Sequence, residues 1–130
     1  GVEKTRLPVV GAAILREGRC LIAQRREEGS FPRLWEFPGG KVEAGETPEE
    51  ALAREIQEEL ALEVEVLELA GRGRSETRSH HIELAVYFAR LLGGEPKTHA
   101  HLAVRWVDAE ELESFEYAPA DVPVLRAVRE

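Results

Sequence analysis

A glycine pair followed by a capped, acid-rich helix constrains this chain more than any other stretch: residues 36–62 read EFPGGKVEAGETPEEALAREIQEELAL. Thr47 is placed as N-cap, Pro48 at the first helical position and Glu50 three residues past the cap, the pattern of a capping box. Leu52, Ile56 and Leu60 then recur every fourth residue as an apolar stripe, while Glu55, Glu58 and Glu59 stand at i, i+3 and i+4. At about 100° per residue, Glu55 and Glu59 border the stripe and Glu58 lies further round, so the acids sit at the rim of whatever the helix packs against. Like charges at these spacings weaken an isolated helix by a few tenths of a kcal/mol per pair, a cost that a cation among them removes. Carboxylate oxygens suit Mg2+ or Mn2+. The plain alternative is a solvated acidic face.

The chain has 130 residues, 43% of them hydrophobic, and reads as one domain spanning residues 1–130 with room for a real core. No apolar run approaches the roughly 18 residues of a membrane span, and no signal-peptide core is present near the start, so a cytoplasmic protein that does not engage a membrane is expected. A formal charge of −8 argues against a duplex nucleic-acid binder, which needs a basic stripe. A small polyphosphate still fits, provided metal ions and a few arginines offset the local field. The lone Cys20, between apolar neighbours, reads as a buried inert thiol. Gly1–Arg6 is given no role.

Along the chain, Leu7–Leu15 and Cys20–Gln24 read as a hairpin across Arg16–Arg19. Arg25 and Arg26 stand where the second strand ends; they either pair with Glu27 and Glu28 or grip substrate phosphates. Residues 27–34 carry Gly29, Ser30 and Pro32 and read as a surface loop. Trp35 and Phe37 are core residues or walls of a base pocket. Pro38-Gly39-Gly40 reads as a turn whose bare main chain passes close to a ligand, leaving the Gly39 carbonyl free for a metal. Leu62–Leu69 reads as a half-buried strand, Arg72, Arg74 and Arg78 as a turn-borne basic patch and second-choice phosphate contact, Ile82–Leu92 as a central strand, and Val104–Val107 as another. Asp108–Glu113 reads as a short capped turn and Pro119–Glu130 as a closing helix. The four histidines lack zinc-ligand spacing, although His99 and His101 could share one face of an extended segment near the acidic helix.

Gly40, Glu46, Arg54, Glu55, Glu58, Glu59, Leu60 and Leu62, at their spacings within residues 40–62, resemble the signature of the Nudix hydrolases at nearly every fixed position. LIAQRR, LWEFPGGKVE, the Trp106 strand and APADVPVL extend the likeness to the MutT-type and CTP pyrophosphohydrolase-like branch. That resemblance implies an α/β (α+β) fold, an alpha/beta/alpha sandwich with a mixed β-sheet. It implies metal ligands at Glu55, Glu58, Glu59 and the Gly39 carbonyl, a brace between Arg54 and Glu46, phosphate contact at Arg25 or Arg26, and a base-reading side chain at Asp121. Two positions depart from the family pattern. Ala61 replaces a glycine, which costs about 1 kcal/mol if the backbone there needs positive φ. Ala100 stands where relatives carry a glutamate that supplies a metal ligand or general base.

The expected reaction is metal-dependent hydrolysis of a nucleoside triphosphate, modified or oxidised, to monophosphate and pyrophosphate. Glu58, Glu55, Glu59 and Arg54 carry the chemistry, and Arg25, Arg26, Trp35, Phe37 and Asp121 hold the nucleotide, as monomer or homodimer. The alternatives are a non-catalytic nucleotide-binding module of the same fold, and a hydrolase of another nucleoside diphosphate derivative.

Overall fold

The computed structural model of the chain describes residues 3–130, so Gly1 and Val2 of the segment given no role lie outside the described residues. Thr5 and Arg6 do not lack a place: they open the first strand, β1 (Thr5–Arg16). Glu17 and Gly18 both take positive φ, 50° and 77°, in the two-residue turn that leads into β2 (Arg19–Gln24). The remaining elements are β3 (Trp35–Glu36), β4 (Gly39–Lys41), α1 (Pro48–Leu60), β5 (Glu63–Glu76), β6 (His80–Gly93), β7 (Ala103–Val107) and α2 (Leu125–Arg129).

The sheet runs β3-β2-β1-β6-β5, with β4 added to β1 and β7 to β2. It is mixed, because β1 pairs β6 in parallel, Val9 facing Leu84, and every other pairing of named strands is antiparallel. Residues 10–14 of β1 are buried without a break, as in a strand covered on both faces. Strand parity divides them: Val10, Ala12 and Ile14 meet Leu52, Ile56 and Leu60 of α1, whereas Ala13 joins Phe37, Leu84, Val86, Tyr117 and Val124 on the opposite face. The α-carbon trace is thus an α/β/α sandwich of the expected class, with one apolar core on each side of the sheet.

Helix α1 begins as its sequence dictates, with Thr47 Oγ1 accepting from the Glu50 N–H at 3.1 Å and Glu50 Oε1 accepting from the Thr47 N–H at 2.9 Å. Burying Leu52, Ile56 and Leu60 completely contributes about 1.5–3 kcal/mol each. The helix ends at Ala61 with φ 58° and ψ 34°, the left-handed conformation that favours glycine. Alanine there costs about 1 kcal/mol, and the helix nevertheless closes, with the Ala61 N–H donating to the Gln57 carbonyl.

Three expectations need correction. Gly39 and Gly40 lie in β4 and not in a turn, with no positive φ. Strand β5 runs on through three register shifts to Glu76, so Arg72 and Arg74 belong to a strand and not to a turn. The closing helix is only Leu125–Arg129, preceded by a 3-10 turn at Val122–Val124. Pro119 and Pro123 lack the N–H a longer helix needs, and the residues between them are held elsewhere. A Cβ at Gly73 on β5 would run into the Ala120 carbonyl, so the segment before this turn leans directly on the strand.

Candidate active site

Two turns of α1 sort its glutamates. The Arg54 guanidinium collects one group: Nε donates to Glu46 Oε2 at 2.6 Å, Nη2 to Glu46 Oε1 at 2.9 Å and to the Lys41 carbonyl at 3.2 Å, and Nη1 to Glu55 at 2.7 Å and to Glu58 at 3.2 Å. This ties the helix to the loop that feeds it. The hydrogen bond from Arg54 holds the Glu46 carboxyl below the usual range, and the bonds to Glu46 and then Glu55 hold the guanidinium above its own.

Glu59 turns the other way, toward the sheet. Its Oε1 lies 3.5 Å from His101 Nε2, which lies 3.1 Å from Glu36 Oε2, and one ligand atom from each of the three residues falls within 4.8 Å of the others. Arg25 Nη1 holds the far oxygen of Glu36 at 2.6 Å, and Arg25 Nε donates to the Ser30 carbonyl at 2.8 Å. Burial pushes the Glu59 carboxyl up to about 9, helped by its hydrogen bond with Glu55 and by the charges of Glu36, Glu55 and Glu58. Bare main chain at the two glycines beside it is required by packing: a Cβ on Gly39 would strike the Val10 carbonyl, and one on Gly40 would meet the Glu55 carboxylate. The donor set fits a divalent cation, since two carboxylates and an imidazole crowd one point and Arg25 touches only the outer edge of the cluster.

A cavity of about 460 Å³ opens onto this cluster. It brings together Glu36, Glu59, Gly39, Arg25, Arg26, Phe37, His101 and Asp121. Arg25 pairs with Glu36 and not with Glu27, while Arg26 bonds Glu28 at 3.3 Å and the His99 carbonyl at 3.1 Å. Asp121 is buried in the cavity wall, where its Oδ2 accepts from the Phe37 N–H at 2.9 Å. Burial outweighs that bond and pushes the Asp121 carboxyl up to about 8, well above the usual carboxylate range.

Other expected residues stand apart. Glu58, Glu55 and Arg54 do not line the cavity; Glu58 is mostly exposed, its main-chain carbonyl 2.9 Å from His99 Nε2. Trp35 packs against Phe115, ring centroids 5.0 Å apart, and is absent from the cavity wall; Phe37 lines it from within the core, stacked on Tyr117. Arg72 and Arg74 border a second cavity, away from the acids. His99 and His101 sit in a turn, not an extended segment, and both reach the last turn of α1. Glu36 and His101 are the two residues that motif reading missed. They lie 65 positions apart and no spacing joins them; the one local hint was an acid alternating with Trp35 and Phe37.

The NUDIX domain model matches residues 5–128. The chain is 46% identical over 114 residues to the putative 8-oxo-dGTP diphosphatase 2 of Mycobacterium tuberculosis, covering 87% of this chain and 81% of that protein. It is 39% identical over 121 residues to the CTP pyrophosphohydrolase of Escherichia coli K12, covering 93% and 90%. The solution structure of a MutT protein of the Nudix hydrolase family from methicillin-resistant Staphylococcus aureus 252 superposes with a TM-score of 0.80 at 36% identity over 98% of both chains. With the family model matched over residues 5–128 and relatives of this kind across nearly its whole length, the chain belongs to the Nudix hydrolase family.

Proposed function

We propose that this Nudix hydrolase cleaves a nucleoside triphosphate, a modified or oxidised deoxynucleotide in particular, into a monophosphate and pyrophosphate. The observation that carries this reading is the single cavity with an acid cluster, two arginines and a buried carboxyl on its walls. Divalent ions, Mg2+ or Mn2+, held by Glu59 with Glu55, Glu58 and the Gly39 carbonyl on one side and Glu36 and His101 on the other, would neutralise phosphate oxygens and make water a stronger nucleophile. Arg25 and Arg26 grip the outer phosphates, and Arg26, whose side chain is 55% exposed, is the freer of the two. Glu58 takes the proton of the attacking water: only one of its oxygens is engaged, by Arg54, whereas Glu59 is turned toward the ion.

Base choice follows from Asp121. With Oδ2 engaged by the Phe37 N–H, Oδ1 is the oxygen left to the base, a donor while the raised carboxyl keeps its proton and an acceptor once it ionises. Guanine-type edges (O6 beside N1–H) and cytosine edges (N3 beside the amino group) both complement it, and the relatives named above are a diphosphatase of 8-oxo-dGTP and a pyrophosphohydrolase of CTP. Phe37 braces this wall through its own N–H. Among the described residues no helix is long and apolar enough to cross a membrane, which accords with a small dissolved substrate.

A panel of nucleoside triphosphates assayed for pyrophosphate release tests the reading. Preference for an oxidised purine or a cytosine nucleotide supports it; equal low release from all of them points to a sugar-linked nucleoside diphosphate. Full magnesium-dependent turnover in both Glu58→Gln and Glu59→Gln would overturn the assignment of the acids.

A further inference from the structure

We propose that the second cavity is a binding site for a small phosphate monoester, of the size of a nucleoside monophosphate, gripped by Arg72 and Arg74. The proposal stands apart from the hydrolase reading, because Arg72, Arg74 and Tyr87 line the second cavity and not the first.

The cavity measures about 390 Å³ and lies on the sheet face that carries α1. Strand pairing puts its residues there. Val10, which packs under α1, faces Ala85, and Ala12 faces Tyr87; on the other side of β6, Ala85 faces Arg72 and Glu83 faces Arg74. Residues paired across strands share a face, so both arginines stand on the same side of the sheet as the helix. On the β1 side the cavity is bordered by Pro8, Val42 and Pro48, with the Val42 N–H donating to the Pro8 carbonyl. A space of this size falls within the roughly 300–1,000 Å³ of small-molecule sites. Its apolar lining, Tyr87 included, suits a base or sugar ring.

The two arginines supply what that lining lacks. The chain carries 25 acidic against 17 basic residues, yet among the described residues neither Arg72 nor Arg74 has an ion pair or a side-chain hydrogen bond. Glu83, the acid opposite Arg74, is taken by Arg6, whose Nη2 donates to Glu83 Oε2 at 2.8 Å, so Arg74 acts on it through charge alone. Two residues apart on one strand, the arginines have α-carbons about 7 Å apart, close enough for both guanidinium groups to converge on one phosphate. A phosphate monoester brings nearly two negative charges to match them, whereas a carboxylate brings one. Between them Gly73 is seated against the Ala120 carbonyl with no space for a Cβ, so the strand that presents the arginines is held from behind. Burial, then the Glu49 charge, raises the Tyr87 hydroxyl above its ordinary value, and it remains a donor.

Cytidine monophosphate, added to the full chain after metal removal, is the probe, and backbone amide shifts are the readout. Saturable shifts are expected at Arg72, Arg74, Ala85 and Tyr87. Affinity at this site falls about tenfold or more in Arg72→Gln/Arg74→Gln, while pyrophosphate release from a nucleoside triphosphate is unchanged in that variant. Inorganic phosphate and cytidine each bind the wild-type site at least about tenfold more weakly than the monophosphate. Shifts confined to Phe37, His101 and Asp121 overturn the proposal, as does binding at this site that survives the double substitution or a parallel fall in turnover. Inorganic phosphate binding as tightly as the monophosphate overturns the monoester class. The wild-type comparisons need no substitution, so a variant that fails to fold leaves the answer intact. Hydrolysis without these shifts overturns the second site alone, and the shifts without hydrolysis of any nucleotide overturn the hydrolase reading alone.

Discussion

Glu46, Glu55 and Glu58 converge on the guanidinium of Arg54, while Glu59 and Glu36, across the same helix turn, converge on an imidazole. The first group carries its own counter-charge. Its carboxylates are bonded to that guanidinium and partly wet, and they fasten helix to loop. The second is short of positive charge, so burial forces a proton onto Glu59. Adjacent residues in sequence, Glu58 and Glu59, thus differ because about 100° of helix rotation separates an arginine from the sheet. A self-neutralised group is a brace; a charge-deficient one is receptive to a cation.

The sharpest way to break this contrast is Glu59→Gln. Turnover with magnesium is expected to fall by at least about 100-fold, because a ligand or proton-handling carboxyl is lost. The metal-free midpoint of thermal unfolding should stay level or rise, since a crowded buried acid has been removed; a large drop would place Glu59 among the bracing residues instead.

Asp121 extends the comparison to a buried acid that is bonded to the Phe37 N–H and feels Arg25 only through its charge. Its folded value of about 8 exceeds the unfolded value of about 3.9, so the folded chain binds more protons between those limits. Its contribution therefore destabilises progressively as pH rises through that window, by up to about 1.4 kcal/mol per pH unit, and levels off above pH 8. Asp121→Asn keeps an acceptor for the Phe37 N–H and cannot ionise. Metal-free urea unfolding between pH 5 and pH 8 should show a shallower decline in the variant, and identical slopes would show that Asp121 ionises freely.

Arg54→Ala strips the brace of its counter-charge. Turnover should fall by about tenfold or more as Glu55 and Glu58 lose their orientation, and thermal stability should fall by an amount that narrows in high salt. Unchanged kinetics would mean that the acids are held by the helix alone. The smallest effect is reserved for the end of that helix: Ala61→Gly should stabilise the chain by about 1 kcal/mol in denaturant titration, with turnover unchanged.

What could be read from the chain depended on range. Thr47, Pro48 and Glu50 cap α1, and Leu52, Ile56 and Leu60 bury it, through contacts local enough for spacing to encode. Trp35 and Phe37 show where that stops. Two residues apart in sequence, they end against different partners, Phe115 and Tyr117, and only Phe37 reaches the cavity, because β3 is too short for parity to govern both. Gly39 and Gly40 were legible as necessary glycines, but the Val10 carbonyl and the Glu55 carboxylate that exclude a Cβ there were not, because they arrive from β1 and α1. Glu36 and His101 met no motif because their partnership exists only once β3, α1 and the turn before β7 have assembled.

The close seating of Ala120 on Gly73 means that the wall bearing Asp121 has no slack behind it. Any bulkier residue at position 73 must push that wall inward or tilt it, though Gly73 itself does not border the nucleotide cavity. Substitutions in the scaffold's back layer can therefore reshape that wall of the cavity while leaving every lining side chain as it was.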